Sequence, residues 1–235
     1  MFETVRAALV TRWLAGSRRS WQSLPVPSGP PAAYRDGPDP DRVLLFGSGI
    51  AMGYGVGSHD LALAGQIAHR VSDLTRRGVR VDVVAAESLS SQDVLDHLTV
   101  SRLRALDAVI LTPGSLAHVI LMPVARWRQV IEEQLDHFAA SAPASLRVVF
   151  VAVPEISQIL VVPGLLGYVG DRSARALNRE LERLCGERDY VTFVPFLPLA
   201  RTDLAETGNA YREWAGLIAP TVAAVLDEHH HRVST

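Results

Sequence analysis

A serine set between two glycines, directly after four apolar residues, is the first place in this chain where side chains could do chemistry. The run Arg42-Val-Leu-Leu-Phe-Gly-Ser-Gly-Ile-Ala-Met-Gly-Tyr-Gly-Val56 reads as a short buried strand, Val43 to Phe46, followed by a turn at Gly47-Ser48-Gly49. An amphipathic helix opens near Ser58. In α/β folds, such a break at the carboxyl edge of a sheet is where ligands and reacting groups sit. The Ser48 hydroxyl becomes a nucleophile only with a base within hydrogen-bond reach. His118, Glu206 and His59 fall in the loops that belong on that rim, and His118 follows the third strand directly. The plainer reading is a serine that satisfies turn amides and a histidine in solvent. Gly47, Gly49, Gly53 and Gly55 keep neither the phosphate-loop spacing nor the dinucleotide fingerprint. They read as turn and close-packing residues, and no cofactor is expected.

These loops need a scaffold, and the chain is long enough to build one core. Of its 235 residues, 48% are hydrophobic and 20% charged, and the net charge of −2 gives no general attraction to nucleic acid. No apolar run reaches the roughly 20 residues of a membrane span. Glu3, Arg6 and Arg12 interrupt any secretory h-region, which together with a single cysteine predicts a cytoplasmic protein. Cys185 alone makes no disulfide and no cysteine-rich metal site, and no metal is expected.

Strand and helix patterns alternate from Arg42 onward. Strands are predicted at Val43–Phe46, Val79–Ala85, Ala108–Leu111, Arg147–Val153 and Val191–Phe196. Between and after them, helical patterns carry Leu61, Ile67, Val71 and Leu74 (ending near Gly78), then Asp93 to Leu98 behind Ser90 or Ser91, Val124–Phe138, Arg172–Leu184 and Tyr211–Leu226. Continuously apolar strands separated by helices predict a parallel sheet covered on both faces. Three parts follow: 1–40, a basic amphipathic helix (Phe2, Val5, Leu9, Trp13) with a proline-rich linker; 41–228, the α/β domain; and 229–235, a solvated tail containing His229, His230 and His231.

Several of these segments, in order over roughly 42–228, resemble the SGNH/GDSL hydrolases. Gly47-Ser48-Gly49 followed by Gly53-Tyr-Gly55 resembles the family's first block, Gly-Asp-Ser with a later Gly-x-Gly. Arg126-Trp-Arg-Gln-Val130, Ala174-Arg-Ala-Leu-Asn-Arg-Glu-Leu181 and Tyr211-Arg-Glu-Trp-Ala-Gly-Leu-Ile-Ala-Pro220 resemble its later helices. The resemblance implies a three-layer α/β/α sandwich with a five-stranded parallel sheet of the flavodoxin-like type. It also implies a cleft lined at the block positions by Gly47, Gly49, Ser88, Gly114, Leu116 and Glu206.

In that family a serine ends the first block and attacks an ester. A second-block glycine, a third-block asparagine and the serine amide hold the oxyanion, and a last-block Asp-x-x-His supplies orienter and base. Here the nucleophile position holds Gly49, the second-block glycine position falls near Ser88, and the asparagine position is Leu116. Asp203 matches the aspartate, and Ala205 or Glu206 stands where the histidine belongs.

The leading expectation is therefore a catalytically degenerate SGNH-like protein whose cleft binds a small molecule or whose surface binds a protein partner. The alternative is an esterase acting on small esters through a relocated site of Ser48, His118 and Asp203. A third reading is an interaction protein that docks through its N-terminal helix. That helix is expected to fold back on the domain, with contact to an anionic membrane as the other option. The apolar stretch Pro154–Tyr168 reads either as an acyl-pocket wall or as the surface receiving that helix. Ser88, Ser90, Ser91 and Ser115 are further candidates to line a polar pocket.

Overall fold

The computed structural model describes residues 24–86, 96–113, 122–155, 157, 164–196 and 207–233. The N-terminal stripe with Trp13, residues 156 and 158–163 of the apolar stretch after Pro154, and residues 234–235 lie outside them.

Six strands form one sheet: β1 (Ala32–Arg35), β2 (Asp41–Gly47), β3 (Val79–Ala85), β4 (Ala108–Thr112), β5 (Arg147–Val151) and β6 (Val191–Val194), in the order β1-β3-β2-β4-β5-β6. β2 to β6 run parallel, and β1 is antiparallel to β3. Five helices accompany them among the described residues: α1 (Leu63–Thr75), the one-turn α2 (Val100–Leu103), α3 (Val124–Ser141), α4 (Gly164–Gly186) and α5 (Thr207–Val233).

The three layers follow from side-chain alternation. Val43 and Leu45 of β2 join one apolar cluster with Ile67 and Val71 of α1 and Tyr211, Trp214 and Ile218 of α5. Leu44 and Phe46 point to the other face, where Trp127, Ile131 and Leu135 of α3 meet Leu177 and Leu181 of α4. Every residue of β4 and β5 is buried, as expected of strands covered on both faces. The Trp127 indole also donates to the Leu177 carbonyl at 3.2 Å, which fixes the height of α3 against α4.

Besides the one-turn α2, which falls just after the helix expected from Asp93 to Leu98, the structure differs from the sequence expectation at four places. Residues 32–35, expected as linker, form β1, which pairs from Ala32↔Asp82 to Arg35↔Val79 and covers the outer edge of the parallel sheet. The neighbouring prolines fall just outside this short strand, so its ladder loses no donor. The sheet is therefore mixed and six-stranded, five of its strands parallel.

α1 ends not at Gly78 but at Arg76, whose left-handed φ of 61° caps the helix. Gly78 instead lies against Gly37, where an added Cβ would stand 2.8 Å from the Gly37 carbonyl oxygen. α4 begins at Gly164 rather than near Arg172, so part of the expected loop is helical.

The histidine run is the fourth difference, because it continues α5 to Val233 rather than forming a solvated tail. His229 Nδ1 is 2.9 Å from the Ser145 carbonyl, and His230 Nε2 is 2.8 Å from Asp41. Asp41 is fully buried and also accepts from Arg77 Nε at 2.9 Å. These contacts fasten the end of α5 beneath the amino edge of the sheet. No helix among the described residues is long and apolar enough to cross a membrane.

Candidate functional site at the carboxyl edge of the sheet

The strand order reverses at β2: the chain steps outward to β3, then crosses back to β4 on the other side. The carboxyl ends of β2 and β4 therefore flank the switch point where doubly wound sheets bind ligands. Gly47 pairs with Thr112 on one side and Ala85 on the other.

The turn is held by backbone contacts. The Ser48 N–H donates to the Thr112 carbonyl at 3.2 Å, the Thr112 hydroxyl donates to the Ser48 carbonyl at 3.1 Å, and the Ala86 N–H donates to the Gly47 carbonyl at 3.1 Å. β2 and β4 approach so closely that a Cβ on Gly47 would stand 2.1 Å from the Thr112 carbonyl oxygen, and the φ of 146° there also favours glycine. A 3-10 turn, Gly49–Met52, follows. Gly49 has a left-handed φ of 62°. Tyr211 of α5 secures the far side of the loop, its hydroxyl donating to the Tyr54 carbonyl at 3.0 Å in a buried setting. Trp214, one turn later, packs edge-on against Phe196, the last described residue before the segment holding Asp203 and Glu206.

Ser48 is extended and only 3% exposed, and its side chain does not cap the 3-10 turn. Among the described residues its Oγ has no hydrogen-bond partner, so neither His59 nor any described carboxylate is placed to take its proton. His59 Nδ1 is likewise buried without a partner, and burial pushes this imidazole below its ordinary range despite Asp60 beside it. His59 lines a cavity of about 390 Å³ with Met52, Ala85, Ala86, His97 and Pro27. Its remaining wall is apolar, so the cavity offers two imidazoles to a largely apolar occupant.

Of the site residues expected from sequence, the structure brings together Gly47, Ser48 and Gly49. Ser88, Gly114, Leu116, His118, Asp203 and Glu206 lie outside the described residues, as do Ser90, Ser91 and Ser115. Sequence reasoning missed Thr112, the residue that locks the turn, and the strap formed by residues 25–31. That strap crosses the loop through Gly55 N–H to Pro25 O at 2.7 Å and Ser28 N–H to Gly57 O at 3.2 Å. Pro27 stands where a Cβ on Gly53 would collide, at 2.6 Å, so Gly53 and Pro27 are complementary. The repeated prolines of 25–31 were the available signal, since proline pre-shapes an extended strap.

No protein-family model matches the sequence, and no curated protein matches it. Solved structures do match in fold. TesA is similar at 14% identity and TM-score 0.55, over 79% of this chain and 99% of that one. The esterase EstA from Pseudoalteromonas sp., in a structure inhibited by monoethylphosphonate, is similar at 11% identity and TM-score 0.53, over 77% and 98%. A G-D-S-L family lipolytic protein from Veillonella parvula is similar at 12% identity and TM-score 0.52, over 77% and 98%. The fold is that of the SGNH/GDSL hydrolases.

Proposed function

We propose that this chain is a non-hydrolytic protein on an SGNH-hydrolase fold, whose carboxyl-edge cleft binds a small, mainly apolar ligand. The observation that carries the reading is the first-block turn itself. The resemblance puts a serine nucleophile at 49, and this chain has a glycine there in a left-handed conformation that L side chains disfavour. The neighbouring Ser48 hydroxyl has no base among the described residues. Leu116 offers no side-chain donor at the oxyanion position, and losing one such donor typically costs about 10²–10³ in rate. The cavity beside the turn, walled by Met52, His59 and His97, supports retention of a binding role.

One feature favours the second reading, ester hydrolysis through Ser48: a buried hydroxyl without a described partner stands at the switch point. Turnover of short-chain p-nitrophenyl esters by the wild type and by Ser48→Ala separates the two. The proposal expects background rates from both proteins. Turnover in the wild type that disappears in Ser48→Ala would replace it with the hydrolase.

A further inference from the structure

The cavity beside the turn has an open, apolar rim. Val26 lines it and is 50% exposed, and Leu61, two residues after the lining His59, is 55% exposed. His97, another lining residue, is exposed as well. Pro27, Pro31, Met52 and residues 83–86 supply the rest of the wall, all of it apolar. Among the described residues nothing shields these side chains further. Tyr34 is also half exposed, but Arg80 already lies over its ring at 5.0 Å. Another exposed apolar pair, Tyr168 and Val169, stands at the start of α4.

The chain outside the described residues starts at that rim. Pro25 accepts from the Gly55 N–H at 2.7 Å and Pro27 sits against Gly53, so the 23 residues before Leu24 are tethered beside the cavity. Within them Phe2, Val5, Leu9 and Trp13 are spaced three and four apart, as one stripe of a helix. The same 23 residues carry four arginines against one acid, whereas residues 24–235 hold 19 basic against 24 acidic residues, so segment and domain attract. Asp60 and Asp96, both exposed, adjoin the lining His59 and His97. A helix of this length is marginal alone in water and forms by burying its apolar face. Ten residues separate Trp13 from Leu24, enough chain to turn back, and a short tether gives an effective concentration on the order of millimolar. The Tyr168 pair has no such tether.

We infer that Phe2, Val5, Leu9 and Trp13 dock as one face of a helix on the rim that includes Val26 and Leu61, covering the cavity with a segment of its own chain. A ligand must displace this cover to enter. Only that gating role rests on the ligand-binding reading; the docking is measured without ligand, so the two fail separately.

Paramagnetic broadening in the full-length, ¹⁵N-labelled chain tests the inference. Cys185 is buried and its thiol is pushed up to about 12, so a nitroxide attaches to Asp60→Cys alone. This label should remove most of the signal of the Trp13 indole and of the amides of residues 5–13. The same label on Arg172→Cys, an exposed position one turn after Tyr168, should remove less. The paired substitution Val5→Ser and Leu9→Ser leaves every described contact of the domain in place and should restore the signals. It should also bind anilinonaphthalene sulfonate roughly threefold or more tightly than the wild type, because a cavity open part of the time binds in proportion to that fraction. Signals untouched by the label at 60, or stronger broadening from 172, would overturn the docking, and equal probe binding by the two proteins would overturn the cover. Full broadening between separate spin-labelled and isotope-labelled chains in a mixture would overturn it in favour of a second copy. Signals lost only on adding phosphatidylglycerol vesicles would overturn it in favour of a membrane.

Discussion

Replacing Gly49 with alanine, and separately with serine, tests whether the residue at the position that the family resemblance assigns to a nucleophile is set by the backbone. Gly49 sits at φ 62°, where an L residue is disfavoured by roughly 1–2 kcal/mol. For a chain of this size about 1 kcal/mol moves the melting temperature by roughly 2–4 °C, so Gly49→Ala should melt about 2–8 °C below the wild type. The sign makes the test sharp. A glycine in an ordinary conformation gives the opposite result on substitution, a gain of about 0.4–1 kcal/mol from the stiffer unfolded chain. Differential scanning calorimetry on the two variants and the wild type, at matched concentration, reads the difference. Gly49→Ser should fall with Gly49→Ala and should leave p-nitrophenyl ester turnover at background, since no base or side-chain oxyanion donor comes with it. A melting temperature at or above wild type for Gly49→Ala would refute the left-handed assignment, and with it the argument that this turn is shaped against a nucleophile.

Gly47→Ala should be more severe, because its Cβ would meet the Thr112 carbonyl oxygen at 2.1 Å on a backbone that also disfavours it. Strain and overpacking of about 1–3 kcal/mol each should lower the urea midpoint by a large part of the total stability, or prevent folding. Cys185 is 2% exposed, and burial pushes its thiol up to about 12, so iodoacetamide at pH 8 should label it only after unfolding. Arg183 and Arg128 hydrogen-bond Glu180 and hold its carboxyl at about 2 against an ordinary 4.5. That depressed value means its contribution is present above about pH 4.5 and is lost as pH falls toward 2. Both arginines are about half exposed, so Glu180→Gln should cost about 1 kcal/mol or less at neutral pH, converging with wild type in acid denaturation profiles.

The parallel core was legible in the sequence because its signal is local. The runs Val43–Phe46, Val79–Ala85 and Ala108–Leu111 are short and apolar, and each lies in a strand, while of Val191–Phe196 the first four residues do. The stripe Trp127, Ile131, Leu135, Phe138 likewise marks α3 without help from elsewhere. β1 carries no such signal. Ala-Ala-Tyr-Arg is too short and too weakly patterned to declare itself, and its conformation comes from the open edge of β3. The same holds for the C-terminal histidines, whose composition suggests a solvated tail. Their partners, Asp41 and the Ser145 carbonyl, lie far away in sequence and meet them only once α5 is docked. At Arg76, tertiary packing overrode the local glycine rule, because Gly78 was needed for the approach to Gly37.

The candidate site divides in the same way. That Gly47-Ser48-Gly49 is a strand-ending turn follows from the sequence, but why position 47 must be glycine follows only from Thr112, on a strand that is a neighbour in space and not in sequence. This bears on the function. Gly47 O, Ser48 N and Ser48 O all have partners supplied by β3 and β4, so the turn closes without any contribution from the Ser48 hydroxyl. Such a turn closes whether or not it carries a nucleophile, which is what the proposed binding role requires of it. The rigidity also makes Ser48→Ala a clean probe. The substitution removes a buried hydroxyl that no described group satisfies and leaves every hydrogen bond of the turn in place, so a change in ester turnover reports on chemistry and not on the loop.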